Sequence, residues 1–273
     1  MKYFTSFKPS THTWDFASRA VQAGISGFEV VFYDSYLNPE VHNEYVDLVK
    51  RIKGELDVGF VVHAPVWDLN IGSNNRKIRQ VSIDEIITSL DFARELDASL
   101  VVVHPSPGIL NMPVGEWSKQ EYEMLTGDSR RIMAQENNIV ESLQKLADYA
   151  PDVLIGVENL VFPHEAYRSP HEMKDLIVRV NRSNVGLTLD VGHAQVSGHN
   201  PASYIDVLRD ELYHVHLHDN YGTIDEHLPL GEGVIDYVGI IQLLRKIDYL
   251  GVVNLEFTPV SPADYERYLL QLK

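Results

Sequence analysis

Six apolar, β-branched runs in this chain each end on residues able to bind a metal, and that pattern restricts the possible folds more than any other feature. The runs are FVVHA, reaching His63; LVVVHP, reaching His104; LIGVEN, reaching Glu158; VGLTLDVGH, with Asp190 and His193; HVHLHDN, with His216; and VVNLEF, reaching Glu256. Asp225 and His227 follow the fifth run in IDEH. Strands of a parallel sheet are buried on both faces and read as near-continuous hydrophobic runs. Polar residues gathered at the carboxyl ends of such strands are how a barrel or an open α/β sheet builds an active site. Imidazole and carboxylate ligands without thiolates suit zinc, manganese, magnesium, cobalt or iron.

Strand signals alternate with helix signals along the whole chain. Strands are expected at Lys2–Phe7, Phe28–Phe32, Val58–Val62, Leu100–Val103, Val153–Val157, Val185–Leu189, Tyr213–Leu217 and Val252–Phe257. Helices are expected from Trp14, from Asn38-Pro39, from Ser82, around Ile132–Tyr149, from Ser169-Pro170, from Asn200-Pro201, from Asp236 to Ile247, and from Ser261-Pro262. Four of these starts place a capping residue before a proline at the first helical position, where its missing N–H costs least. Ser82 with Glu85, and Ser169 with Glu172, have the spacing of a capping box. Eight strand–helix units within 273 residues predict a single (β/α)8 TIM-barrel domain spanning residues 1–273. An open doubly wound sheet is the alternative, but no Gly-rich dinucleotide loop is present, and ligands on six strands converge best in a closed barrel.

The net charge of −16 opposes general attraction to nucleic acid or anionic membranes. There is no cysteine, and so no disulfide or thiolate ligand. No apolar run approaches the roughly 18–20 residues of a membrane span, and the start lacks a signal-peptide core. A soluble, cytoplasmic protein is expected. The segments Ala64–Val81, with Trp67, and Pro105–Ser129, with Trp117, read as long loops at the active end.

Glu158 and Glu256 are the most telling pair, because an unpaired carboxylate after an apolar strand is costly to bury and no lysine or arginine accompanies them at the strand ends. His214, His216 and His218 alternate and so share one side of their strand. Of the three, His216 is the expected ligand, His214 a deeper core residue and His218 a rim residue. His63 and His104 stand just before prolines. His12, His42, His164, His171 and His199 read as solvated.

With LDVGH, HLHDN…DEHLPLGEG and the two strand-end glutamates, nearly the whole chain resembles the xylose-isomerase-like TIM-barrel superfamily, which includes sugar isomerases, epimerases and endonuclease IV. The ketose-epimerase resemblance implies one divalent ion (Zn, Mn, Mg or Co) held by Glu158, Asp190, His216 and Glu256. It also implies a substrate contact at His193 and proton exchange by Glu158 and Glu256 beside a sugar carbonyl. Trp67 or Trp117 would offer an apolar wall to a small carbohydrate. The endonuclease IV resemblance implies up to three zinc ions on His63, His104, Glu158, Asp190, His193, His216, Asp225, His227 and Glu256, and abasic DNA as the substrate. That pattern carries arginine where this chain has Glu226, and a lysine that HLHDNYGTIDEH lacks, so positive charge is missing where a phosphate backbone would need it. The epimerase pattern has a departure too: its sugar-contacting arginine beyond the strand-seven histidine has no counterpart here. The expected function is a divalent-metal-dependent sugar or sugar-phosphate isomerase or epimerase, with a phosphodiesterase acting at abasic sites as the alternative.

Overall fold

Eight parallel strands pair in chain order, and the last pairs with the first, in a computed structural model that describes residues 1–8, 12–32, 39–105, 129–162 and 165–273. The strands are β1 (Lys2–Phe7), β2 (Gly27–Val31), β3 (Gly59–His63), β4 (Leu100–Val103), β5 (Leu154–Glu158), β6 (Val185–Asp190), β7 (Leu212–Leu217) and β8 (Val252–Leu255). Closure runs through Lys2 opposite Val252 and Thr5 opposite Leu255, so the sheet has no free edge. This is the expected TIM barrel.

Helices lie between the strands: α1 (Trp14–Gln22), α2 (Pro39–Glu55), α3 (Arg76–Leu96), α4 (Ser129–Tyr149), α5 (Pro170–Val180), α6 (Val191–Val196), α7 (Pro201–Val207), α8 (Tyr237–Lys246) and α9 (Tyr265–Gln271). Their apolar sides join the outward strand residues, such as Phe28, Val30, Val101 and Val215, in the main core. Among the described residues, no helix is long and apolar enough to cross a membrane.

Most helix starts lie where the capping residues put them. Ser169 and Glu172 complete a capping box before Pro170, and Asn200 caps α7. The exception is α3, which begins six residues before the Ser82 start and is capped by Asn75. Ser82 is a buried mid-helix residue whose hydroxyl donates to the Ile78 carbonyl and accepts from the Asn70 N–H. The loop expected through Val81 therefore ends at Asn75. The Pro105–Ser129 loop, with Trp117, lies almost wholly outside the described residues, as does His164.

Alternation along each strand sends one parity into the barrel, and the composition of that parity changes along the axis. A small apolar plug of Phe4, Val61, Leu100 and Val102 fills one level. Next come Ser6, Glu29, Thr188, His214 and Asn254, all buried. Beyond them, at the carboxyl-terminal mouth, stand His63, Glu158, Asp190, His216 and Glu256.

Candidate metal centre

The mouth brings together the nine sequence-derived ligand candidates. His216 Nδ1 lies 3.4 Å from Glu158 Oε1, 3.6 Å from Asp190 Oδ2 and 2.9 Å from Glu256 Oε2. Despite these distances, Asp190 Oδ2, His216 Nδ1 and Glu256 Oε2 are buried without a hydrogen bond among the described residues. Buried polar atoms are normally satisfied, and each such exception requires a cause. A cation held by three carboxylates and one imidazole would satisfy all of these atoms. Glu158 Oε2 faces His63 Nε2 at 3.2 Å and His104 Nε2 at 3.1 Å. Asp225 Oδ2 faces His193 Nε2 at 3.2 Å and His227 Nε2 at 3.0 Å.

The outer ring nitrogens point to the same chemistry. His63 Nδ1–H donates to the Ala64 carbonyl, His193 Nδ1–H to Asn159 and His227 Nδ1–H to Glu256, each at 2.9 Å. A backbone carbonyl accepts only, so Nδ1 carries the proton and the neutral ring presents a lone pair at Nε2. In all three rings that lone pair is aimed at a carboxylate oxygen. Metal-binding histidines are oriented in this way, by donating their other N–H to a fixed acceptor. The donor set thus fits a divalent ion. The triads His63–His104–Glu158, Glu158–Asp190–His193 and His193–Asp225–His227 each have donor atoms within 4.8 Å of one another.

In metal-free protein these groups pair as charges. Burial pushes the Glu158 carboxyl up, but His104 and His216 outweigh it and hold it well below the usual range. Burial likewise opposes His193 and His218 at Asp190, which also ends well below it. Burial lowers His216, yet Glu256, Glu29 and Glu158 raise it well above an ordinary imidazole. His193 is raised in the same way by Asp190, Asp225 and Glu158. His227 is raised to about 9, its hydrogen bond to Asp225 outweighing burial.

Local structure explains how each element delivers its donor. Asp190 ends β6 and caps α6, with Oδ1 accepting the His193 N–H at 2.6 Å. Asn159 locks β5 to β6 by donating to the Asp190 carbonyl and accepting the Asp190 N–H. After β7, Asp219 accepts the N–H groups of Asn220, Gly231, Gly233 and Ile235 and pairs through its backbone with Leu228. A Cβ on Gly233 would fall 2.3 Å from both the Asn220 carbonyl oxygen and Asp219 Oδ1, which accounts for a glycine there in HLPLGEG. This anchor holds the segment carrying Asp225 and His227, the latter at φ +49°, a left-handed conformation uncommon outside glycine. Replacing Asp219 with alanine strands four N–H groups. It is expected to cost about 3 kcal/mol or more and to collapse amide-exchange protection at Gly231, Gly233 and Ile235, while the β1–β4 amides stay protected.

Two sequence expectations change. His218 is not at the rim: it is fully buried, its Nε2 3.2 Å from Asp190 Oδ1 and its ring stacked on His227 at 4.1 Å. The ring occupies the space a Cβ on Gly192 would need, 1.9 Å from that position, so the glycine of LDVGH and the last histidine of HVHLH fit each other. His12 is buried rather than solvated, stacked on Phe16 at 3.9 Å and accepting the Lys8 N–H at Nδ1. As read from the sequence, no lysine or arginine pairs with the strand-end glutamates among the described residues; their partners are the histidines. One site residue went unread in the sequence: Glu29 of β2, whose Oε2 lies 2.7 Å from His214 Nε2 and 3.1 Å from His216 Nε2. The available signal was a lone carboxylate between Phe28 and Val30 in an otherwise apolar strand.

A cavity of about 390 Å³ opens above the centre, within the usual size of small-molecule sites. Glu158, Glu256, His63, His104, His193, Asp225 and His227 reach its surface, whereas Asp190 and His216 lie beneath. Trp67, 70% exposed, and Phe162, Val161 and Leu160 supply an apolar wall. Among the described residues no lysine or arginine lines it.

A family model described as xylose isomerase-like TIM barrel matches residues 17–270. The chain is 31% identical over 244 residues to an uncharacterised protein of Methanocaldococcus jannaschii, MJ1311, covering 86% of this chain and 75% of that one. It is 22% identical over 223 residues to fructoselysine 3-epimerase of Escherichia coli O157:H7, covering 78% and 74%. A probable endonuclease 4 of Malacoplasma penetrans is 24% identical over 245 residues, covering 84% and 77%. Among solved structures, a D-tagatose 3-epimerase-like protein superposes with a TM-score of 0.77 at 28% identity, covering 99% of this chain and 96% of that one.

Proposed function

Because the chain belongs to the xylose isomerase-like TIM-barrel family, we propose that it is a metal-dependent isomerase or epimerase of a small, unphosphorylated carbohydrate. The observation that carries this reading is the set of buried polar atoms at His216 Nδ1, Asp190 Oδ2 and Glu256 Oε2, without a hydrogen bond among the described residues, directly beneath a ligand-sized cavity. Glu158, Asp190, His216 and Glu256 would hold a divalent ion, which when bound supplies Lewis acidity to neighbouring sugar oxygens.

Glu158 from β5 and Glu256 from β8 are the two members of that set that reach the cavity surface. Coming from strands separated by β6 and β7, they approach a bound sugar from different sides. One takes the proton from the carbon beside the carbonyl and the other returns one to the opposite face, which inverts that carbon. His193 orients a sugar oxygen, and Trp67 covers an apolar face of the substrate. The lining without lysine or arginine among the described residues favours a neutral sugar over a phosphorylated one. The epimerase names of the fructoselysine enzyme and of the D-tagatose 3-epimerase-like structure support the same reading.

A second reading, phosphodiester cleavage at abasic DNA by a multi-zinc site, is favoured by the three adjoining donor triads and by the endonuclease relative. The net charge of −16 and the absence of lysine and arginine from the cavity lining among the described residues weigh against it. The two are separated by incubating metal-loaded protein with ketoses and aldoses in heavy water and, separately, with an abasic duplex. Deuterium incorporation at a carbon of at least one sugar is the expected result. Efficient strand cleavage with no sugar labelled would replace the first reading with the second.

A further inference from the structure

Four of the ligand-type histidines at the mouth are held from behind, in two different ways. His63, His193 and His227 each donate one ring N–H to a backbone carbonyl. His216, whose Nδ1 faces three carboxylates, has no such carbonyl. Its other nitrogen, Nε2, meets Glu29 Oε2 at 3.1 Å. We propose that Glu29 is a positioning residue of the metal centre: it keeps the proton on His216 Nε2, and so turns the Nδ1 lone pair toward the ion. The inference rests on the metal-dependent reading above.

Three features of the site support the assignment. Glu29 is fully buried, where an ionised carboxylate is tolerated only if it is paired and hydrogen-bonded. The same oxygen accepts from His214 Nε2 at 2.7 Å, and Glu29 Oε1 has no hydrogen bond among the described residues. The carboxylate is thus committed to two imidazoles one level apart in the barrel, and His214 fixes the position from which it acts on His216. A carboxylate is also a stronger acceptor than a carbonyl. Glu29 therefore raises the basicity of the one ring that lies among Glu158, Asp190 and Glu256. Glu29 is not among the residues that line the cavity, and among the described residues its hydrogen bonds run to His214 and His216, so its effect passes through His216.

The test uses the full chain and Co2+ alone as the probe, with its dissociation constant read by competition against a chelator. Glu29→Gln keeps the shape and one acceptor oxygen but removes the charge, and should weaken Co2+ binding about tenfold. Glu29→Ala should weaken it nearer a hundredfold, the range typical for partners of ligand histidines. A purely structural role would lower the thermal midpoint of the metal-free protein and leave the affinity of the folded protein unchanged, and that outcome would overturn the proposal. A readout independent of any variant is long-range proton–nitrogen correlation on the Zn2+-loaded wild type. It should find His216 protonated at Nε2 and metal-shifted at Nδ1; the reverse assignment would overturn the proposal even if the variants do not fold. Wild-type protein that takes up no Co2+ would remove the metal-dependent reading and this inference together. Uptake that is equal in wild type and variants would remove only the inference.

Discussion

Replacing Glu256 with glutamine is expected to lower turnover about a thousandfold, the middle of the range for loss of a positioned acid or base, even at saturating metal. Glutamine keeps the side-chain volume and can still offer an oxygen to the site, but it can no longer accept and return a proton. The same change removes a negative charge 2.9 Å from His216 Nδ1, so metal retention should also fall. The fold should survive, because Glu256 stands just past β8 and its backbone links, to Leu217 and to the His227 ring, run through N–H and C=O. Sugar deuteration and metal content measured on the same preparation separate the two effects. A Glu256→Gln protein with wild-type labelling would remove Glu256 from the chemistry altogether.

Loading the site should stabilise the protein strongly, and more so as pH rises. A ligand bound only by the native state contributes about 4 kcal/mol at a thousandfold excess over its dissociation constant, roughly a 10 °C rise in melting temperature for a chain of this size. In the metal-free site His216 and His193 are raised well above the ordinary imidazole value and His227 to about 9. Groups raised in this way stabilise the folded state below their unfolded value of about 6.5, and that contribution fades as pH rises through the folded value. The ion assigned to Glu158, Asp190, His216 and Glu256 requires His216 Nδ1 unprotonated, and its positive charge beside His193 and His227 disfavours their protonation as well. Metal uptake at neutral pH should therefore release protons, and the melting gap between loaded and metal-free protein should widen between about pH 6 and 9. Calorimetry in two buffers of different ionisation enthalpy counts the protons. No release, with a gap independent of pH, would place the ion elsewhere.

The barrel was legible because most of its strands are apolar runs of the right length, six of them closed by residues able to bind a metal, with helix signals between them. The candidate donors at the strand ends were legible for the same reason. What the sequence concealed were polar residues whose surroundings are made by distant segments. Glu29 sits mid-strand, and only closure of the barrel brings His214 and His216 against it. His218 follows its strand as a rim residue would, and becomes buried because Asp219 folds the following segment over it. Ser82 and Glu85 imitate a helix start because the true first turn, Arg76 to Val81, carries little apolar periodicity, and Asn75 caps it without a proline to mark the place.

Asp190 has a consequence for how tightly an ion can be held. Its side chain ends a strand and starts a helix with no intervening loop, one oxygen fixed by the His193 N–H and the main chain clamped on both sides by Asn159. The remaining oxygen has almost no rotational freedom left to lose. Flexible ligands must be immobilised on binding, at roughly 0.5–1.5 kcal/mol for each rotamer-rich side chain. Here that ordering is completed when α6 forms on β6. Selectivity for an ion bound there would then depend on whether its preferred bond lengths match an aperture of nearly fixed size, and a metal too large or too small would be refused by geometry even where its charge is right.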